Sequence, residues 1–220
     1  MLFRSTLSVR PSAEVTYCVI ASPAGPYFES GLRPVSIWLT TDYSRASPGG
    51  TGAAKCGGNY AASLVAQAEA LANGCEQVAF LDAVERHWIE EIGSMNLFFV
   101  HSDGGIVTPE LTGSILAGVT RDSILELAAD RGHKVEERKV SVDEWRDGVR
   151  NGEIAEVFAT GTAAVVTPIG RLAWDDGELL IGDHGTGDGV GPVTATLRRA
   201  LLDLQQGRAE DTRGWLTRLA

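Results

Sequence analysis

The hydrophobic period of this chain switches repeatedly between two residues and 3.6, and that alternation limits the fold more than any other feature. β-rich runs at 16–21 and 36–40 are bounded by Pro/Gly clusters at 22–26 and at Arg33-Pro34. From Ala61 the period is helical: Ala61, Leu64, Val65, Ala68, Leu71 and Ala72 share one face, and Asn73-Gly74 supplies the stop. Residues 77–81, 88–91 and 96–101 read as strands, and a turn at 102–105 leads into a short run at Ile106. A second helix opens at Thr120, whose hydroxyl is expected to cap it, repeats apolar residues at Ile124, Leu127 and Ala128, and closes at Gly132. Residues 134–139 read as a strand and 142–151 as a helix. Two further strands, 156–160 and 164–168, flank the small turn Gly161-Thr162-Ala163. The last helix begins with Pro192 at its first position and stops at Gly207, after a glycine-rich loop at 182–191. One domain of mixed α/β (α+β) type follows.

A chain of 220 residues buries about 70% of its unfolded surface and needs no disulfide or metal staple. Its 44% hydrophobic and 22% charged residues are those of a globular protein. Nineteen basic against 29 acidic residues leave a net charge of −10, which argues against nucleic acid or an anionic membrane as partner. No stretch has the ~20 consecutive apolar residues of a spanning helix, and residues 1–5 lack the apolar core of a secretory signal. Cys18, Cys56 and Cys75 are odd in number and widely spaced, so the expectation is a reduced, cytoplasmic protein. His87, His101, His133 and His184 have no metal-ligand spacing, and Gly187, Gly189 and Gly191 do not lie in a strand–turn–helix dinucleotide site.

The stretch Gly49-Gly50-Thr51-Gly52-Ala53-Ala54-Lys55-Cys56-Gly57-Gly58-Asn59-Tyr60 carries the chemistry. Glycines on both sides of one lysine allow unusual dihedrals and close approach of a flat ligand. It is not a phosphate-cradling P-loop, because Lys55 follows Ala54 and precedes Cys56. A lysine held in an apolar site can lose its proton near neutral pH and form a Schiff base. A solvated lysine in a mobile loop is the bland alternative. Downstream, Glu90 and Glu91 are adjacent, so a regular strand sends them to opposite faces; the residues alone do not choose between them.

The Gly49-to-Tyr60 run resembles the cofactor-lysine segment of branched-chain amino-acid aminotransferases, the class IV (fold type IV) pyridoxal-phosphate enzymes. The resemblance continues in order through Ile20-Ala21-Ser22-Pro23-Ala24-Gly25-Pro26-Tyr27-Phe28, Glu91-Ile92-Gly93-Ser94-Met95-Asn96, Gly118-Val119-Thr120-Arg121 and Gly161-Thr162-Ala163-Ala164. It implies a β pseudo-barrel surrounded by helices, pyridoxal 5'-phosphate held by Lys55 as an internal aldimine, and Lys55 as the general acid/base. It further implies that Tyr60 bonds the cofactor's phenolate oxygen and that Glu91 faces the pyridine nitrogen. The Val119 and Thr120 amides and Thr162 would bind the phosphate, Arg45 would lie near the cofactor, and the Thr162–Ala163 backbone would receive the substrate carboxylate.

The family chain normally begins with a small α/β domain that is not recognised here. Residues 1–15 are read as a remnant of the segment joining the two domains, and 16–220 as the cofactor-binding large domain. The expected activity is transfer of amino groups between branched-chain L-amino acids (Leu, Ile, Val) and 2-oxoglutarate, in a homodimer or with a complementing chain. Alternatives are a weakly active or inactive remnant that binds cofactor or a partner, and a class IV lyase or D-amino-acid transaminase.

Overall fold

The computed structural model describes residues 10–23, 32–182 and 189–217. Residues 1–9 of the expected interdomain segment, 24–28 of the second quoted motif and 183–188 of the glycine-rich loop lie outside the described residues. The strands are β1 (Val35–Leu39), β2 (Gln77–Leu81), β3 (Ile89–Ile92), β4 (Met95–His101), β5 (Ile106–Thr108), β6 (Val135–Glu137), β7 (Ile154–Gly161), β8 (Val165–Trp174) and β9 (Gly177–Leu180). The helices are α1 (Gly57–Ala72), α2 (Val119–Asp130), α3 (Val142–Asn151) and α4 (Pro192–Gln205).

Six strands pair into a closed ring, β3–β2–β1–β8–β7–β4 and back to β3, which is the barrel expected from the resemblance. β1 runs parallel to both β2 and β8, and the other ring pairings are antiparallel. β5 and β9 extend β4 and β8, and β6 lies parallel to β5. Closure removes the exposed sheet edges that an open sheet would present.

All six ring strands contribute to one buried cluster, which includes Ile37, Leu81, Ile92, Phe99, Val157 and Leu172. α3 adds Trp145, whose ring meets Phe99 edge-on at 5.3 Å, a favoured aromatic geometry. Gly148 lets α3 approach closely, because a Cβ there would meet Ile154. Ser141 caps this helix by accepting from the Glu144 amide. A second cluster joins α2 and α4 to the sheet through Phe98, Phe158, Ile124 and Leu197, with the two phenylalanine rings stacked at 4.9 Å.

Several elements differ from the sequence expectation; β8, expected to end at 168, runs on to Trp174. Residues 16–21 form no strand; Tyr17, Val19 and Ile20 are exposed, and no neighbouring strand pairs with them among the described residues. α1 covers the expected residues but is rolled: Leu64, Val65 and Leu71 are exposed while Ala66 and Ala70 are buried. The sheet face beneath already carries Trp38 and Phe80, so the close-packed helix contributes its smallest side chains. α2 begins one residue earlier than expected, with Gly118 as N-cap and no side-chain cap, so Thr120 is inside the helix. β9 is not expected; its four residues are too few to show a period in sequence, and its pairing with β8 reveals it.

The cap on α4 is a carboxylate borrowed from β7. Glu156 accepts from the Val193 amide at 3.0 Å, and from the amide and hydroxyl of Thr194 at 2.8 and 2.7 Å. A Cβ at position 191 would overlap its side chain, so Gly191 makes room for it. Glu156→Ala is expected to cost about 1–3 kcal/mol, the loss of charged hydrogen bonds to buried donors. Urea unfolding of the variant measures this, and an unchanged midpoint would refute the cap.

Candidate active site

The glycine-rich loop is held in place by a buried asparagine. Asn59, in the first turn of α1, donates to the carbonyls of Thr51 at 2.7 Å and Ala54 at 2.9 Å, and its Oδ1 accepts from the Thr51 hydroxyl at 2.7 Å. Gly52 presses so closely on Ser114 that any Cβ would overlap the Ser114 carbonyl. Between these anchors Lys55 projects with its Nζ 3.4 Å from the Tyr60 hydroxyl. Both side chains are exposed rather than enclosed by apolar walls.

Across the loop lies β3, and it is not a regular strand. Its pairing with β2 sets Ile92 opposite Ala79 and Ile89 opposite Leu81, so three steps on β3 match two on β2. This is a β-bulge, and it lets Ile89 and Ile92 both enter the barrel cluster. Glu90 and Glu91 both reach the segment before α2: Ser114 Oγ donates to Glu90 Oε1, and the Leu116 amide donates to Glu91 Oε1. The opposite-face expectation therefore fails at this pair, because alternation does not survive an inserted residue.

Arg45 is buried, and its guanidinium lies 3.0 Å from Glu91 Oε2. It also donates to the carbonyls of Gly52 at 3.3 Å and Ser114 at 3.0 Å. Glu91 is only 1% exposed. Burial pushes its carboxyl up to about 7, and the neighbouring Glu90 adds to the rise. Arg45, the Leu116 amide and Lys55 pull the other way without winning. Lys55 and Glu91 are thus electrostatically coupled, although 36 positions separate them (91 − 55).

Asn96 joins the remaining pieces. Its register partners are Glu91 on β3 and Thr160 on β7. Its Nδ2 donates to the Leu116 carbonyl at 2.9 Å, and its Oδ1 lies where a Cβ of residue 118 would have to go. The N-terminus of α2 is thereby fixed beside the end of β7. The Val119 and Thr120 amides stand in that first turn without a side-chain cap, and Val119 is 82% exposed. Uncapped helix amides and the helix dipole make an anion site. The turn with Thr162 and Ala163, both exposed, follows directly on β7. Val165 just beyond has a φ of 59°, a strained value for a β-branched residue. Thr160 Oγ1 is buried there with no partner among the described residues.

The fold therefore gathers Lys55, Tyr60, Glu91, Arg45, the α2 amides and the Thr162 turn around one end of the barrel. The Amino-transferase class IV family pattern matches residues 3–172. The chain belongs to the class IV aminotransferases.

It is 57% identical over 216 residues to the branched-chain-amino-acid aminotransferase of Mycolicibacterium smegmatis, a match covering 97% of this chain and 58% of that one. The branched-chain amino acid aminotransferase of Escherichia coli superposes with a TM-score of 0.74 at 35% identity, covering 90% of this chain and 60% of that one. The T.th. branched-chain amino acid aminotransferase, complexed with N-(5'-phosphopyridoxyl)-L-glutamate, gives a TM-score of 0.70 at 35% identity, covering 84% and 56%. This chain thus spans somewhat under two thirds of the length of these relatives.

The class IV aminotransferase cofactor is pyridoxal phosphate, and the residues present fit it chemically. A lysine amine, a buried carboxyl that titrates near neutrality, and free helix amides suit its aldehyde, ring nitrogen and phosphate. Three contributing residues escaped the sequence reading, Asn59, Asn96 and Ser114, while Glu90 enters it only as the alternative to Glu91. Only Asn59 and Asn96 had a signal, since both lie inside quoted motifs.

The Glu91 value has a sign that can be checked. Its folded pKa stands above the ordinary 4.5, at about 7, so in that window the folded chain binds the extra proton. The cofactor-free chain should lose stability as pH rises from 4.5 to about 7 and show no further loss from this group above it. Glu91→Gln should flatten that slope. Denaturation midpoints across this range test it, and an equally steep slope in the variant would reject the assignment.

Proposed function

We propose that this chain binds pyridoxal phosphate through Lys55 and transfers amino groups between branched-chain L-amino acids and 2-oxoglutarate. The observation that carries the reading is Arg45, which pairs with the buried Glu91 and bonds the Gly52 carbonyl of the lysine loop, beside an uncapped helix N-terminus. The names of the similar proteins support the branched-chain class, and the phosphopyridoxyl-L-glutamate complex of one relative supports glutamate and its oxo-acid as the second pair.

Bound pyridoxal phosphate supplies an electron sink for charge that develops at the amino acid's Cα. Residues 16–220 then form the cofactor-binding domain. Lys55 would hold the cofactor through its Nζ, and the same amine would serve as the general acid/base for the proton at the amino acid's Cα. Tyr60, 3.4 Å from the lysine Nζ, donates toward the phenolate oxygen and limits where that amine can swing. Glu91 holds a proton at the ring nitrogen, and its titration near neutrality suits that sharing. Val119 and Thr120 donate their amides to the phosphate, joined by Thr162, and the Thr162–Ala163 backbone receives the substrate carboxylate. Arg45 acts on the cofactor through Glu91, which it holds in place.

The same reading includes an assembled form. Leu64 and Leu71 on α1 are 67% and 64% exposed, and an apolar stripe of this kind serves as a partner surface. A second copy or a complementing chain covering it would also reduce the exposure of Lys55 and Tyr60. The three cysteines are free thiols, in keeping with a reduced cytoplasmic setting.

Reconstitution with pyridoxal phosphate, borohydride reduction and peptide mapping should place the adduct on Lys55, and Lys55→Ala should lose both adduct and visible absorbance. L-Leucine with 2-oxoglutarate should yield glutamate. A trapped adduct in the alanine variant would overturn the role of Lys55, and cofactor binding without glutamate formation would favour a binding-only remnant.

A further inference from the structure

We infer that Glu90 and Ser114 are positioning residues that set how Glu91 meets the cofactor ring, a role resting on the reading of Glu91 above. The bulge in β3 turns both carboxylates toward the segment preceding α2, where Ser114 has three separate tasks. Its hydroxyl donates to Glu90, its carbonyl accepts from Arg45 at 3.0 Å, and its backbone bears on Gly52 of the lysine loop. The Thr112 hydroxyl, 2.7 Å from Ser114 Oγ, completes the chain by donating to it. Two residues on, the Leu116 amide reaches Glu91. Glu90 therefore tethers the one segment that contacts Glu91, its arginine and the lysine loop together.

The tether is also electrostatic. Arg45 is the ion-pair partner of Glu91, while Glu90 is 5% exposed and its Oε2 has no hydrogen-bond partner among the described residues. The charged groups acting on Glu91 are Arg45, Lys55 and Glu90; those acting on Glu90 are Asp82 and Arg45. Burial raises both carboxyls, and a single arginine pulls both of them down. A cavity of about 230 Å³ that touches Glu90, Ser114 and Trp88 does not include Lys55, Tyr60 or Glu91 in its wall. Glu90 thus acts on the cofactor side only through its neighbours.

The cofactor-free chain with ¹³C-labelled glutamate carboxyls reads this directly, with Glu91→Gln giving the assignment. In the parent chain Glu91 should titrate at about 7. Glu90→Gln keeps shape and removes charge, so the Glu91 titration should move downward. Ser114→Ala should speed hydrogen exchange at the Leu116 amide at least several-fold, and Ser114→Thr, which restores the hydroxyl, should slow it again. In the cofactor-loaded chain, Glu90→Gln should move the pH midpoint of the visible band in the same direction. An unmoved Glu91 titration in Glu90→Gln would overturn the inference, as would equal exchange in the Ser114 alanine and threonine variants. Failure of the parent chain to bind pyridoxal phosphate would instead remove the cofactor reading and leave the titration standing.

Discussion

One arginine and two glutamates share a buried space at the end of the barrel, and the surrounding geometry follows from how that charge is accommodated. Taking a carboxylate out of water costs several kcal/mol, which one ion pair repays only with good geometry and further hydrogen bonds. Glu91 has both, from Arg45 and the Leu116 amide, yet desolvation still leads and its carboxyl titrates at about 7. Stability alone would favour apolar side chains in this space. A carboxyl balanced near neutrality is instead suited to sharing a proton with a ring nitrogen, which a fully ionised surface glutamate could not do as well.

The same arrangement explains why distant segments arrive at one place. Arg45 bonds the Gly52 and Ser114 carbonyls while it pairs with Glu91. Three segments are thereby fixed to one guanidinium nitrogen, Nη2, which makes all three contacts. Asn96 does similar work on the other side, holding Leu116 and limiting residue 118 to glycine. Lys55 thus sits on a loop whose supports are all rigid strands or buried side chains.

Much of this was legible because it depends on local chemistry. Pro192 at the first turn of α4, Gly132 and Gly207 after helix ends, and α3 at 142–151 follow from capping and period. The ordered motifs led to the barrel and to the cluster of Lys55, Tyr60 and Glu91. What failed depends on long-range partners. A β-rich run such as 16–21 becomes a strand only if an edge is offered to it, and the described residues offer none. The roll of α1 was decided by Trp38 and Phe80 on the sheet beneath, not by its own leucines. The bulge at Glu90 is a register mismatch with β2, and no pattern within β3 encodes it. Glu156 reaches across 37 positions, 193 − 156, to cap α4, so no capping motif next to that helix could reveal it.

The exposure of Lys55 bears on how such a site becomes productive. A solvated amine competes with water for every proton it handles, and an open site leaves the cofactor's charges screened. Effective catalysis needs Lys55 and Tyr60 held in a drier, narrower space than this chain builds around them. The half of the site made by Glu91, Arg45 and Ser114 is already sealed, and the half made by Lys55, Tyr60 and Val119 faces outward. The apolar side chains Leu64 and Leu71 lie on α1, whose first turn carries Tyr60. Burying them against another surface would therefore bring cover toward the open half, so apolar association and exclusion of water from the lysine become one event. The deep electrostatic half requires no such event, because its contacts all lie within the barrel and its loops.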